Sequence, residues 1–270
     1  NLFALYPATK FRRFDFGLSW MNVRRDNLDD PSAPSDASQV IVPSLGYVDD
    51  TSLWGILAPS TGRRLNLSAM ASPGIFSGAP AFYTITGDYR MYERLGPYYT
   101  FVLRFAGGGS FGRNPQRFIV GGVDNWINNR FENNRFPIET ADDYLFLTTG
   151  VPLRGFNYNA RNGTKYGIIN AEMRFPLFGY FAAGPVPVFF QTLTGTLFMD
   201  MGAAWTRGRD LRFFTRNADN AVVTRDLLDG MGYGVRMVIL GFLLKMDVAW
   251  AFNLQHFSRP QYYFSLGADI

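Results

Sequence analysis

From residue 261 to residue 270 the chain alternates without a break. Tyr262, Phe264, Leu266, Ala268 and Ile270 fall on one side, and Gln261, Tyr263, Ser265, Gly267 and Asp269 on the other. Successive side chains of a strand point to opposite faces, so this pattern predicts a strand with one greasy face and one small or polar face. About ten tilted residues of that kind suffice to cross a bilayer. The same period recurs upstream: 242–254 carries Phe242, Leu244, Met246, Val248 and Trp250 against Lys245 and Asp247, and 231–239 carries Tyr233, Val235 and Met237 against Gly232, Gly234 and Arg236. In 193–205, Leu197, Met199 and Met201 oppose Thr196 and Asp200; in 166–175, Ile169, Ala171 and Met173 oppose Glu172 and Arg174. Residues 99–105 set Arg104 against Phe101 and Leu103, and 81–91 set Asp88 and Arg90 against Tyr83, Ile85 and Tyr89. Three further segments, 64–71, 44–54 and 14–23, bring the count to ten strands.

In the clearest of these strands every charge lies on the face without the large apolar residues. A water-soluble sandwich puts its charges outside and uses strands of about five or six residues. A transmembrane barrel must keep charge away from lipid, because a charge at the midplane costs about 2–4 kcal/mol, and its strands are longer. The pattern therefore predicts an all-β fold, a transmembrane antiparallel β-barrel. Link lengths agree. Long links at 24–39, 72–80, 107–164, 206–230 and 255–260 alternate with short ones at 58–62, 93–97 and Gly241, as expected of outer loops and periplasmic turns. One link, 179–190, is apolar and contains proline on the short side, and is expected at the membrane interface. The alternation also sets the C-terminus facing the periplasm.

Composition narrows this further. Mean hydropathy is −0.06 although 17% of residues are aromatic, and the longest mostly apolar run, 235–244, is interrupted and too short for a membrane helix. There is no cysteine, so disulfides and thiolate metal sites are excluded, and the formal charge of +4 is spread along the chain, so no nucleic-acid stripe exists. A single histidine, His256, and no G-x-S-x-G elbow or metal-ligand cluster predict no enzyme, no cofactor and no metal. The run Gly107 to Gly112 matches G-x-G-x-x-G in form, but Arg113-Asn114-Pro115 opens no helix, so phosphate binding is not expected. The acid pairs Asp29-Asp30, Asp49-Asp50 and Asp142-Asp143 read as solvated loop charges. Trp20, Trp54, Trp126, Trp205 and Trp250 are candidates for interface girdles. The chain starts at Asn1 with no basic and apolar leader, so a signal peptide is expected to have been removed or to lie outside it.

A succession of short motifs adds a family. Pro152-Leu153-Arg154-Gly155-Phe156 in the long loop is followed by Asn170-Ala171-Glu172-Met173-Arg174-Phe175-Pro176 and then by Phe198-Met199-Asp200-Met201-Gly202. This ordered set resembles the C-terminal barrel of the BamA/TamA outer-membrane assembly superfamily, the bacterial surface antigen domains. Tyr6-Pro7-Ala8-Thr9-Lys10-Phe11-Arg12-Arg13 and Asp50-Thr51-Ser52-Leu53-Trp54-Gly55 resemble a branch with a periplasmic β-propeller upstream. The resemblance implies that the ten strands are the seventh to sixteenth of a sixteen-stranded barrel, with the earlier strands and a periplasmic domain outside this chain. It also implies that the 107–164 loop folds into the lumen, where Arg154, Gly155 and Phe156 are locked through Asp200, with Glu172 as the other inward acid nearby. Two departures stand out: the chain ends in Ile270 where relatives usually end in Phe, and no POTRA-like repeat can be read.

The remaining inward charges, Asp88, Arg90, Arg104, Arg174, Arg236, Lys245 and Asp247, form either a mixed network that stiffens a hydrated lumen or a selectivity element for a solute. The function implied by the resemblance is insertion, translocation or surface display of proteins in the bacterial outer membrane. Its partners would be lipid, lipopolysaccharide, protein clients and envelope-complex subunits. Its last strand would form one lip of a weak seam. The alternative is a passive pore or a structural anchor of a larger envelope complex, which predicts a closed ladder and an open, charged channel.

Overall fold

The computed structural model describes residues 1–26, 36–55, 58–76, 78–134, 150–177, 193–206, 211–239 and 242–267. Its strands are β1 (Leu2–Pro7), β2 (Arg12–Arg25), β3 (Asp36–Asp50), β4 (Leu53–Trp54), β5 (Pro59–Pro73), β6 (Ala81–Leu95), β7 (Tyr99–Gly112) and β8 (Phe118–Val120). They continue with β9 (Arg161–Gly163), β10 (Lys165–Pro176), β11 (Thr194–Trp205), β12 (Phe214–Arg216), β13 (Val222–Thr224), β14 (Leu228–Ile239), β15 (Phe242–Ala251) and β16 (Gln261–Leu266). Twelve of them make one sheet, in the order β1-β2-β3-β5-β6-β7-β10-β11-β14-β15-β16 with β4 attached to β5. Each neighbour pair is antiparallel, so the wall of the molecule is a meander in chain order. Short pairs β8–β9 and β12–β13 lie within the two largest connections.

All ten segments expected from alternation lie in this wall, and one strand more. The addition, β1, reads Leu-Phe-Ala-Leu-Tyr-Pro with every residue exposed, so it carries no period of two to detect. Its place is set by pairing with β2, from Leu2 opposite Leu18 to Pro7 opposite Arg13. The 44–54 segment divides into the end of β3 and the two-residue β4, and β3 begins at Asp36, inside the link expected at 24–39. The large loop starts at residue 113 rather than 107, because Gly107 to Gly112 continue β7 opposite β6 and, through Gly107 to Gly109, opposite β10. Backbone close to both neighbours explains these glycines: a Cβ on Gly108 would come within 3 Å of Thr86, Ile85 and Tyr166. Residues 179–190, Gly241, Asp29, Asp30, Asp142, Asp143, Ala268, Asp269 and Ile270 lie outside the described residues.

The wall is inverted relative to a soluble protein. Phe242 is 67% exposed, Leu197 54% and Tyr233 51%, whereas Asp200 is 1%, Arg236 3% and Asp247 4% exposed. Burying charge while presenting aromatics is unfavourable in water and required in lipid. What buries the inner face from β10 to β16 is the chain between β7 and β10. Its Val120, Val151 and Leu153 pack on Ala106, Ile168, Ala204 and Leu228 of the wall, and its Val123 and Trp126 pack on Phe198, Ala249 and Tyr263.

Candidate functional site

The site is built where that loop reaches the inner face of β10, β11, β14, β15 and β16. Within the loop, Gly122 donates its N–H to Phe156 and accepts from the N–H of Leu153, at 3.0 Å each, which turns 152–156 into a tight tip. Gly121, at a φ of +128°, approaches the Asn157 carbonyl so closely that a Cβ would lie 2.1 Å from it. Tyr158 donates its hydroxyl to the Val123 carbonyl. Burial, reinforced by the Asp124 carboxylate, holds that hydroxyl above its ordinary pKa, so it remains a donor.

Arg154 stands at the tip. Its Nε and Nη2 donate to the two oxygens of Asp200 at 2.7 and 2.9 Å, and its backbone N–H reaches Asp200 at 3.1 Å. Its Nη1 donates to Glu172 at 2.8 Å, and the guanidinium lies 3.5 Å from the centroid of the Phe198 ring. A planar, permanently charged fork can satisfy a carboxylate bidentately while stacking on an aromatic face; an ammonium cannot do both. Gly155, at a φ of +95°, donates to the Tyr263 hydroxyl at 2.8 Å, and that hydroxyl donates to the Phe156 carbonyl at 3.0 Å. Wall glycines admit the tip: a Cβ on Gly230 would lie 1.9 Å from the Arg154 carbonyl oxygen, and one on Gly202 would lie 2.7 Å from Leu153.

A charge network continues from the lock. Glu172 also accepts from Arg174 at 2.7 Å and faces Arg236 at 3.9 Å, while Arg236 pairs with Asp247 at 2.7 Å. Lys245 and Arg104 border the same cavity, which encloses about 70 Å³. Each acid thus faces at least one cation in a region screened from water, where an uncompensated charge is expensive. Asp88, Arg90 and Arg104 form a second, less buried group, with Arg90 on Asp88 at 2.8 Å and Arg104 on Asp88 at 2.7 Å. Tyr262, Phe264 and Leu266 point outward from β16, as their exposure requires.

Four participants escaped the sequence reading. Tyr263 is the one aromatic on an otherwise small or polar face of the last strand, and that oddity was its signal. Phe198 breaks the inner face of β11 in the same way. Gly230 has no signal in the sequence, because only the approach of another segment gives it meaning. Trp126 is corrected: it is buried against Tyr263, with ring centroids 4.7 Å apart, and is no interface-girdle residue. Asp49 and Asp50 face Arg12 and Arg64, and no cluster of three metal-ligating side chains occurs among the described residues.

Residues 8–270 match the family model of the Omp85 superfamily domain. Among solved structures, the chain is similar to BamA from Haemophilus ducreyi lacking POTRA domains 1–3, with 12% identity and a TM-score of 0.53. The alignment covers 98% of this chain and 53% of that one, so the chain spans about half the length of that structure. No curated protein matches the chain.

Proposed function

The chain belongs to the Omp85 superfamily and to the bacterial outer membrane, and from that premise we propose that it is the C-terminal part of a sixteen-stranded barrel that inserts, translocates or displays proteins. Its C-terminus faces the periplasm, the 113–164 loop enters from the outer side, and lipid, lipopolysaccharide and client proteins are its partners. The observation that carries this reading is the Arg154 fork on Asp200 and Glu172, which holds the loop tip against the inner wall. A passive pore needs an open lumen, whereas Val120, Val123, Trp126, Val151 and Leu153 of the loop pack on the inner face of this wall. In the proposed role the lock stiffens the wall behind the last strand, so that β16 can serve as a lip where a client strand adds by main-chain pairing.

The test is to place Arg154→Ala in the full-length protein in its native outer membrane and measure the folded fraction of other outer-membrane barrels by heat-modifiable gel migration. The expected result is accumulation of unfolded clients without a rise in ion conductance. Normal client assembly together with a raised conductance would sink the reading in favour of a pore.

A further inference from the structure

At the end of the wall from which the long loop leaves, one charge breaks the inside–outside order. Lys165, the first residue of β10, precedes Tyr166, which packs inward beneath the loop, so Lys165 itself points outward. A Cβ on Gly109 would lie 3.5 Å from the Lys165 stem and 3.0 Å from the Phe111 ring, which puts stem, glycine and ring on that same face. The Lys165 ammonium ends 5.2 Å from the Phe111 centroid, and Phe111 stacks on Tyr83, itself 52% exposed. No carboxylate pairs with this ammonium among the described residues. A lysine that lays its stem along the wall and lifts its charge over aromatic rings at the strand ends suits a headgroup layer.

Beside it the outward face is hollow. Gly107, Gly167 and Ala203 are cross-strand partners on β7, β10 and β11 and make a floor about 10 Å wide. Gly167 lies two residues, about 7 Å, along the strand from Lys165. The next outward level, Phe105, Ile169 and Met201, forms a bulky ledge on the side away from Lys165. Trp205, opposite Lys165, stands on the other side, and Phe213 and Leu227 of the β11–β14 connection close one end. At the far end Leu67 occupies the space over Gly87, the partner of Gly107. The result is a bounded apolar groove of about 450 Å³. Protein packing does not account for the middle of its floor, because a Cβ on Gly167 would meet nothing within 4 Å.

We propose that this groove seats one acyl chain of lipopolysaccharide, with a lipid A phosphate on the Lys165 ammonium. An apolar slot beside a cation is complementary to a hydrocarbon tail beside an anionic head. The choice of lipopolysaccharide over phospholipid rests on the function proposed above, which turns the loop end of the wall toward the outer leaflet. The lipid would then hold, from outside, the strands β10 and β11 that carry Glu172 and Asp200 inside.

The test extracts the full-length protein, folded, from its native outer membrane into a non-ionic detergent and weighs it by native mass spectrometry. The expected result is one retained lipopolysaccharide, with retention falling severalfold in Lys165→Gln and lost in Gly167→Leu, whose side chain fills the groove. Once the lipid is stripped, added lipid A should rebind severalfold more strongly than its dephosphorylated form. Lys10→Gln removes a lysine 4.8 Å from the centroid of Phe11 at the opposite end of the wall, and should change nothing. Heat-modifiable migration establishes that each variant is folded, and Gly167→Val, with a side chain suited to strands, stands in if the leucine variant is not. Equal binding of the two lipid A forms, or by Lys165→Gln, overturns the phosphate contact. A phospholipid retained in place of lipopolysaccharide overturns the choice of ligand. Retention unchanged in the groove-filling variant means annular lipid only and overturns the site. If Arg154→Ala leaves client assembly normal while lipid A still binds here, the proposed function fails and the lipid site stands.

Discussion

The walls built by β2, β3 and β5 and by β10, β11, β14 and β15 use the same ingredients: long alternating strands, aromatics outside, and opposite charges inside. They do not put them in the same medium. Arg13 reaches Asp15 at 3.0 Å and Arg64 reaches Asp50 at 3.6 Å, with both arginines more than a third exposed. Arg154 reaches Asp200 at 2.7 Å and Arg236 reaches Asp247 at 2.7 Å, with all four side chains nearly or fully buried. The second wall differs because the described parts of the loop, 113–134 and 150–164, lie against it and exclude water. An identical ion pair is worth little in water, while in a confined interior the loss of one partner is costly because the other cannot be rehydrated. The loop thus turns ordinary barrel charges into a lock, and the lock in turn holds the loop.

The strongest way to break the contrast is Asp200→Ala. It leaves the Arg154 fork half unpaired beside Glu172 and removes the acceptor of the Arg154 backbone N–H. The expected loss is about 3–5 kcal/mol. It should be read as a lowered thermal unfolding midpoint and as protease cleavage within the loop of the otherwise assembled barrel. Asp15→Ala, in the wetter wall, should leave both measurements near those of the unaltered protein.

Next in size is Gly230→Ala, which pits a methyl group against the backbone of the tip. The added Cβ would meet the Arg154 carbonyl oxygen at 1.9 Å, and backbone cannot give way as a side-chain end can. Overpacking of this kind costs about 1–3 kcal/mol. Gly87→Ala in β6 is the matched control, since its Cβ would meet only the end of Leu67 at 3.2 Å. Protease sensitivity of the loop should rise in the first variant and stay unchanged in the second.

Tyr263→Phe sharpens the comparison at a single hydroxyl. It removes the acceptor for Gly155 and the donor to Phe156 while leaving the ring on Trp126. The stranded N–H and carbonyl are expected to cost about 1–3 kcal/mol, toward the lower end if water enters. Hydrogen exchange at Gly155 should speed up, whereas exchange in β2 and β3 should not change.

Much of the wall was legible because lipid outside and a hydrated or charged lumen inside impose a period of two on every strand. Strand β1, apolar on both sides, shows what happens when that signal is absent: only its partner strand reveals it. The motif residues Arg154, Glu172 and Asp200 were picked out by family resemblance, and Arg154 lies within hydrogen-bond distance of both acids. Gly230 and Trp126 were illegible for a common reason. Their roles depend on where a loop of some fifty residues, counting 113–164, comes to rest, and neither a local propensity nor a face pattern encodes that. Tyr263 falls between the two, conspicuous as a large ring on a small-residue face but silent about what its hydroxyl holds.

The smallest expected effect tests the medium itself. In a double-mutant cycle on Arg13 and Asp15, the coupling should be at most about 1 kcal/mol and should fade as ionic strength rises, because mobile ions reach both groups. The same cycle on Arg236 and Asp247 should give a larger coupling that salt hardly alters, since the pair is closed off by the wall and the loop. Releasing the loop with Asp200→Ala should then make the Arg236–Asp247 coupling salt-dependent. If the coupling stays insensitive to salt after the loop is freed, the dryness of that wall comes from the strands alone, and the loop would be a passenger in the lumen rather than what separates the two regions.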